Sequence, residues 1–349
     1  MPDKPRLSLV CVSRNDNHGG DPLARLVYSC ASFVEQSEKF QVSTEYVVVE
    51  WNPPVDRPSL AQELRSRIRP SSFAKIRIIT VPAEVHREFK FSDKLPLFQM
   101  IGKNVGIRRA RAEFVLSSNI DIVLGNRLFA EITLKKIKSG IIYRSHRLDV
   151  NHKILQEKFA ESLALSYATR LNVMPNTIQL GSGADILQKF GGFSASVRRQ
   201  IREILQKKLT LKLKRLLRKN SKNKFRLHTN ACGDFQLLDR DSWHRLQGFS
   251  EMQIYSFHLD SLFMYDALSQ GVYSIVLPAP FFHYHIDHSD GWIPEDPNYL
   301  FSRLRSNGIG FMDQEIGIYE ELYRRGEIKP KEPHESWGLA DRQLEEQTL

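Results

Sequence analysis

Cysteine is scarce in this 349-residue chain, and long apolar runs are absent from it. The three cysteines, Cys11, Cys30 and Cys232, share no spacing typical of a disulfide framework or a zinc site, which favours a reducing compartment. No stretch approaches the roughly 18 consecutive apolar residues of a membrane-spanning helix. The first apolar run is also too short for the core of a signal peptide. These absences predict a cytoplasmic protein, either soluble or peripheral on a membrane.

Acidic residues are nearly absent between Arg198 and Arg226, where 13 Lys and Arg face the single acid Glu203. The segment carries +12 and the whole chain +10, so the remainder sums to about −2. No aromatic RNA-binding strand or known DNA-binding motif accompanies this charge, and a nucleic-acid partner is therefore not expected. Apolar residues recur at helical spacing beside the basic ones. They predict either a packed helix with solvated charges or a helix lying on an anionic membrane.

Buried strands and helices alternate through the first third of the chain. Apolar runs at Leu7–Val12, Thr44–Glu50 and Ile76–Val81 predict strands, and Asp21-Pro22 has the residue types of a helix start. The spacing between the runs suits crossover helices. With 41% hydrophobic residues the chain can bury a large core. The pattern predicts an α/β fold with a Rossmann-like, mostly parallel sheet flanked by helices.

One stretch, Lys103 to Leu124, combines a helix, a buried strand and a polar end. Small residues keep one face of the helix able to approach a sheet, and Phe114 to Leu116 form a short buried strand. Asn119 and Asp121 follow this strand. Ligands of open α/β sheets bind beyond the carboxyl ends of the strands, so a carboxylate here can point into the binding crevice. A strand-ending Asx turn is the alternative.

Three motifs and the later His288, in the same order, resemble GT-A type nucleotide-sugar glycosyltransferases. The pattern from Lys103 to Asp121, K-N-x-G-x-x-x-A-x-x-E-F-V-L-x-x-N-x-D, resembles their helix, strand and metal-binding D-x-D, with Asn119 in place of the first aspartate. The run LLDRDSWHRLQGFSEM resembles their acceptor-side element. Asp260, eleven residues before Gly271, resembles their catalytic base, although Leu259 replaces the preceding glutamate. The resemblance covers about half the chain.

The resemblance implies a role for each candidate site residue. Asp121, His288 and, as second choice, His285 would hold Mn²⁺ or Mg²⁺, and Asp260 would be the catalytic base. Contacts to the nucleotide sugar would come from Ser13, Asn15, Glu50, Asn52, Lys103, Asn104 and Asn119, and contacts to the acceptor from Gly233, Asp234 and Trp243. From the residues alone, Glu50 could also be a strand cap, Asp260 a helix cap and the histidines a zinc site.

The implied activity is sugar transfer from a nucleoside diphosphate sugar to an acceptor hydroxyl on a lipid-linked, glycan or protein substrate. It would depend on a metal, with inversion if Asp260 is the base. The alternatives are an inactive sugar-nucleotide binder, a nucleotidyltransferase and, less favoured, a nucleic-acid-binding protein. Since Asn119 departs from the motif, restoring aspartate there is expected to preserve or strengthen binding.

The predicted organisation has four parts. Residues 1–149 would form the nucleotide-sugar-binding half and 227–328 the acceptor and catalytic half of a GT-A domain. Residues 150–226 would be a helical basic insertion without strong strands. Residues 329–349 would form a polar tail, disordered at its end.

Overall fold

A computed structural model describes residues 4–17, 20–173, 176–179, 227, 229, 231–288 and 298–349. The strands in these ranges are β1 Leu7–Ser13, β2 Thr44–Trp51, β3 Ala74–Val81, β4 Phe114–Ser117, β5 Ile122–Leu124, β6 Ile141–Arg144, β7 His146–Val150, β8 Ala168–Val173, β9 Asn176–Gln179, β10 Gln236–Asp239, β11 Tyr273–Val276, β12 Phe282–Ile286 and β13 Glu345–Thr348. The α-helices are α1 Pro22–Phe40, α2 Leu60–Arg67, α3 Ala83–His86, α4 Gln99–Arg109, α5 Asn126–Leu134, α6 Glu161–Ser166, α7 Arg240–Leu246, α8 Leu259–Ser269, α9 Asn298–Ser306 and α10 Glu315–Arg325.

The main sheet has eight strands in the order β11-β6-β10-β4-β1-β2-β3-β13. Strand β1 runs parallel to β2 and β4, β2 parallel to β3, and β6 parallel to β11. Strands β10 and β13 run antiparallel to their neighbours. Buried side chains fill both faces of the sheet. The predicted α/β class, with a mostly parallel sheet flanked by helices, is confirmed.

Helix α4 packs closely on the centre of this sheet through its glycines. A Cβ atom at Gly106 would lie only 2.4 Å from Cγ1 of Val10, and one at Gly102 would lie 2.8 Å from Cγ1 of Val12. The small helix face predicted from the sequence is therefore in contact with β1. This close approach places Lys103 on the buried side of α4, above the carboxyl end of the strand.

A second sheet, which the sequence did not predict, has the order β5-β12-β7-β8-β9. Strand β12 lies between β5 and β7, and pairs His285 with Ile122 on one side and with Asp149 on the other. Strand β5 begins directly after Asp121. This small sheet brings residues from distant parts of the chain to the polar end of β4.

The helical insertion predicted for residues 150–226 is wrong for its first part. Ala168–Val173 and Asn176–Gln179 form strands, and β8 pairs antiparallel with β7. The polar, short segments lack a long apolar run, and their extended form depends on pairing with β7 rather than on local sequence. Most of the rest, residues 180–226, lies outside the described ranges, and so does the amphipathic basic helix expected there.

The disordered end expected for the tail from Lys329 is also wrong. Glu345–Thr348 forms an edge strand antiparallel to β3, and Glu346 binds the buried Arg77 through two hydrogen bonds of 2.8 and 2.9 Å. Trp337 is 3% exposed and lies under the guanidinium of Arg108, 4.9 Å from its ring centre. The polar composition of the tail gave no sign of the backbone pairing that holds the tail in place.

No helix among the described residues is both long enough and apolar enough to cross a membrane.

Candidate active site

The polar candidates lie at the carboxyl ends of adjacent parallel strands. Ser13 pairs with Glu50 in register at the ends of β1 and β2, and Val10 pairs with Ser117 at the end of β4. Asp121 follows four residues later, immediately before β5. Since ligands of open α/β sheets bind at this edge, the position agrees with the crevice expected from the sequence.

Asp121 is buried between two imidazoles. Its Oδ2 lies 2.9 Å from Nε2 of His288 and 3.8 Å from Nε2 of His285, while its Oδ1 is buried without a hydrogen-bond partner. Burial acts to raise the pKa of Asp121, but the hydrogen bond from His288 and the neighbouring His285 and Arg25 hold it below its ordinary value. The carboxylate is therefore kept ionised, with one oxygen available for a ligand.

His285 is oriented from behind by Asp149. The Oδ1 of Asp149 lies 3.1 Å from Nδ1 of His285, so a proton on Nδ1 leaves Nε2 as the acceptor that faces Asp121. Asp149 is 1% exposed and also accepts from Nε of Arg147 at 2.5 Å, while its Oδ2 lies 3.1 Å from Nε of Arg170. Burial opposes ionisation, but His285 and Arg147 hold the pKa of Asp149 below its ordinary value.

These side chains fit a divalent cation. One ligand atom each from Asp121, His285 and His288 lie within 4.8 Å of one another, and a second group of Asp149, His285 and Asp287 meets the same criterion. The unpartnered Oδ1 of Asp121 is the kind of orphaned buried acceptor that a cation would satisfy. A carboxylate with two imidazoles and no thiolate is a ligand set that divalent metal ions accept.

Lys103 lies next to the turn that contains Gly233 and Asp234. Its side chain is fully buried, and its Nζ donates to the carbonyl of Gly233 at 2.9 Å. Burial lowers the pKa of Lys103, while the nearby carboxylates of Asp260, Asp234 and Asp121 oppose that shift. The buried side chain of Lys103 therefore lies near three carboxylates that the sequence spreads over 140 residues.

Asp260 lies in the first turn of α8 and is partly exposed. Its Oδ1 accepts from the backbone N–H of Ser261 at 2.8 Å. A Cβ atom on residue 233 would lie 2.9 Å from Oδ2, so Gly233 leaves the space that this oxygen occupies. Asp260 is not the N-cap of α8, because His258 holds that position. The helix-cap alternative for Asp260 is therefore not what the structure shows.

The predicted nucleotide contacts from β1 and β2 bind the scaffold in this structure. Asn15 donates to the carbonyl of Pro58 at 2.7 Å, and Asn52 donates to the carbonyl of Pro96 at 3.3 Å. The Oε1 of Glu50 accepts the N–H of Leu60 at 2.8 Å, at the first residue of α2. Burial raises the pKa of Glu50, although this hydrogen bond opposes the shift. Ser13 is 3% exposed.

Two predicted contacts have packing roles instead. Trp243 has no exposed surface, donates from Nε1 to the carbonyl of Val115 at 2.9 Å, and stacks on Phe263 at 4.6 Å between ring centres. It therefore offers an acceptor no contact. Asn104 is fully buried and bonds through both ends of its amide to the backbone of Phe249, at 2.8 and 2.9 Å. Its amide connects α4 to the loop that follows α7 and does not face the crevice.

Asn119 and Asp234, assigned from the sequence to opposite sides of the site, are in direct contact. Nδ2 of Asn119 donates to Oδ1 of Asp234 at 2.9 Å. NH1 of Arg147 donates to Oδ2 of the same carboxylate at 2.9 Å. Asp234 therefore lies on the same side of the candidate site as Asn119.

Sequence reasoning missed the residues that support the site, above all Arg147 and Asp149. The sequence did contain a signal for them. Arg147 and Asp149 lie two residues apart on β7, in H-R-L-D-V, and therefore on one face of the strand, as His283 and His285 do on β12. His283 itself is 1% exposed, shares a 2.6 Å hydrogen bond with Oγ of Ser145, and has a pKa lowered by burial to about 3. It is a neutral, buried neighbour of the site rather than a member of the three-residue metal group.

Comparisons with known proteins find no matching family, but two solved structures are similar to this chain. No protein-family model and no curated protein matches the chain. The catalytic domain of Drosophila beta1,4-galactosyltransferase 7, solved with xylobiose, is 10% identical, with a TM-score of 0.34 over 84% of this chain and 78% of that one. Galactosyltransferase LgtC, solved with donor and acceptor sugar analogues, is 10% identical, with a TM-score of 0.36 over 89% of this chain and 99% of that one. Both TM-scores lie below 0.5, and the fold is therefore assigned from the strand order of this chain itself.

Proposed function

We propose that this protein transfers a sugar from a nucleoside diphosphate sugar to an acceptor hydroxyl, with a divalent cation held by Asp121, His285 and His288. The observation that carries the proposal is the position of Asp121. Its buried, unpartnered Oδ1 lies at the carboxyl edge of a parallel sheet, beside two imidazoles. The motif order from Lys103 to Asp121 supports the same activity.

On the donor side, the chain holds a preformed set of ligands. A divalent cation bound there would neutralise the charge that develops on the departing diphosphate. Asp149 keeps His285 in the tautomer that presents Nε2, and Arg147 holds Asp149 in place. Because these contacts are buried, the ligands need little reorganisation when the donor binds.

On the acceptor side, Asp260 is the candidate general base. The acceptor oxygen would form a bond to the anomeric carbon as the bond from that carbon to the diphosphate oxygen breaks, and the hydroxyl proton would pass to Asp260. Gly233 leaves room for Oδ2 of Asp260, and Lys103 places a positive charge near it. Attack from the side opposite the leaving group would invert the anomeric centre.

The test is a panel of uridine and guanosine diphosphate sugars, each with Mn²⁺, measured by titration calorimetry and by release of nucleoside diphosphate. We expect binding of at least one donor, and Asp121→Ala should abolish its Mn²⁺-dependent part. Asp241→Ala is the matched control, because this carboxylate is 94% exposed in its side chain and lies on α7, outside both groups of possible metal ligands. Unchanged binding in Asp121→Ala would remove the metal assignment. Binding without hydrolysis or transfer to any acceptor would favour an inactive sugar-nucleotide binder.

Attachment to an anionic membrane through Arg198–Arg226 also stays a proposal, based on the sequence alone. At about 1 kcal/mol per basic residue near such a surface, half of the 13 basic residues would suffice for reversible binding. Co-sedimentation with phosphatidylglycerol vesicles at low salt tests it, with neutral vesicles as the control. Equal recovery with both vesicle types would exclude the membrane role and leave a solvated helix.

A further inference from the structure

Asn119 stands where the resembled D-x-D motif has its first carboxylate, and the structure shows what this amide contacts. Its Nδ2 donates to Oδ1 of Asp234, and its Oδ1 accepts from Nε2 of Gln99, both at 2.9 Å. Gln99 in turn accepts from Oγ of Ser256 at 2.9 Å. Both ends of the Asn119 amide are thus fixed, and its donor end is directed at a carboxylate from the other half of the chain.

Asp234 is held in place from several directions. Arg147 donates to its Oδ2 at 2.9 Å, and Oγ of Ser118 donates to its backbone carbonyl at 2.8 Å. The residue is 6% exposed, and its carboxylate interacts electrostatically with His285 and Asp121. The carboxylate is therefore anchored at the metal side of the crevice and reaches it from the short turn before β10.

We propose that the carboxylate of Asp234 binds a hydroxyl group of the donor sugar, and that Asn119 and Arg147 position this carboxylate. This inference rests on the proposed function. Each carboxylate oxygen can accept two hydrogen bonds, and the described residues supply one to Oδ1, from Asn119, and one to Oδ2, from Arg147. Sugar hydroxyls are donors, so a hydroxyl group of the donor sugar can bind the remaining acceptor capacity.

The contact between the two residues also changes what Asn119→Asp should do. The sequence favoured a neutral or beneficial effect, because the substitution restores the motif. In the structure it would place a second carboxylate oxygen 2.9 Å from Oδ1 of Asp234 and remove the donor between them. Like charges at that distance disfavour each other, so Asn119→Asp alone should weaken donor binding. Exchanging the two side chains should restore the hydrogen bond, with the amide now at position 234 and the carboxylate at position 119.

The experiment compares Asn119→Asp, Asp234→Asn and the double exchange Asn119→Asp/Asp234→Asn. The measured quantity is the ratio of affinities, in the presence of Mn²⁺, for the tightest-binding nucleoside diphosphate sugar of the panel and for the corresponding nucleoside diphosphate. We expect Asp234→Asn to lower that ratio about tenfold to 100-fold, the usual loss for a hydrogen bond to a charged group. Asn119→Asp should lower it as well. The double exchange should recover about tenfold or more over Asn119→Asp alone.

Asp239→Asn is the matched control, because Asp239 is a carboxylate at the far end of β10, where it caps α7 through the N–H of Ser242. This variant should lower thermal stability and leave the affinity ratio unchanged. An unchanged ratio in Asp234→Asn, or losses in the double exchange that equal the sum of the single losses, would overturn the inference while the proposed function stands. If the wild-type protein binds no sugar nucleotide, both fail together.

Discussion

Asp149→Asn tests whether the second sheet positions the metal ligands. The substitution keeps the size of the side chain and removes its charge. Oδ1 of Asp149 now faces His285 and Arg147, and Oδ2 faces Arg170. Whichever way the new amide turns, its NH₂ group meets an N–H group of one of these partners. One buried donor therefore opposes another.

The expected cost has two parts. Removing one partner of a buried ion pair costs about 3–5 kcal/mol. We expect the lower end, because Arg147 keeps Asp234 and Arg170 keeps a contact of 3.5 Å to Asp287. For metal binding, loss of the residue that orients a ligating histidine lowers affinity about tenfold to 100-fold.

The assay is calorimetric titration with Mn²⁺ together with thermal unfolding without metal. Asp241→Asn is the matched control, since this carboxylate is 94% exposed in its side chain and lies on α7, outside both groups of possible metal ligands. We expect at most a threefold change in Mn²⁺ affinity for the control. If Asp149→Asn binds Mn²⁺ as the wild type does, His285 is not a ligand positioned from β7, and Asp121 with His288 must suffice.

The other predictions concern catalysis, pH and the C-terminal strand. Asp260→Asn should fold and bind donor but lose about 10²- to 10⁴-fold in turnover, and near-normal turnover would leave this residue a structural role. Burial raises the pKa of Glu50, so its stabilising contribution is present below the unfolded pKa of about 4.3 and is lost as pH rises through the folded pKa. Glu50→Gln should therefore raise the melting temperature at pH 7 and not at pH 4, and an equal change at both would contradict this. Glu346→Gln should cost about 1–3 kcal/mol in urea unfolding, because it weakens two charged hydrogen bonds to a buried arginine, while the exposed Glu345→Gln should cost less than 0.5 kcal/mol. Equal losses from these last two variants would show that the tail contributes no specific ion pair.

The sequence was sufficient to predict the strands and helix starts whose formation depends on neighbouring residues. The first strand, expected at Leu7–Val12, is observed at Leu7–Ser13, and the helix expected to begin at Asp21-Pro22 is Pro22–Phe40 with Asp21 as its N-cap. Continuous apolar runs predict buried parallel strands because such strands are covered on both faces. A capping side chain and a proline in the first turn predict a helix start because they act on neighbouring backbone groups.

The candidate metal-binding residues could also be identified from the sequence. The position of Asp121 after a buried strand singled it out, whereas His288 and, as second choice, His285 were chosen because of the resemblance to GT-A type glycosyltransferases. The structure brings all three within ligand distance of one another.

Only the tertiary structure decided which distant residues meet. Asp149 reaches His285 because β7 pairs with β12, more than 130 residues later in the chain, and Asn119 meets Asp234 across 115 residues. The same holds for Glu345–Thr348, which is polar and becomes a strand only because β3 offers it an edge. Hydrogen bonds between distant backbones and side chains leave no periodic trace in either partner. Local pattern therefore determined the elements and the residue types of the site, whereas strand pairing determined which side chains share it.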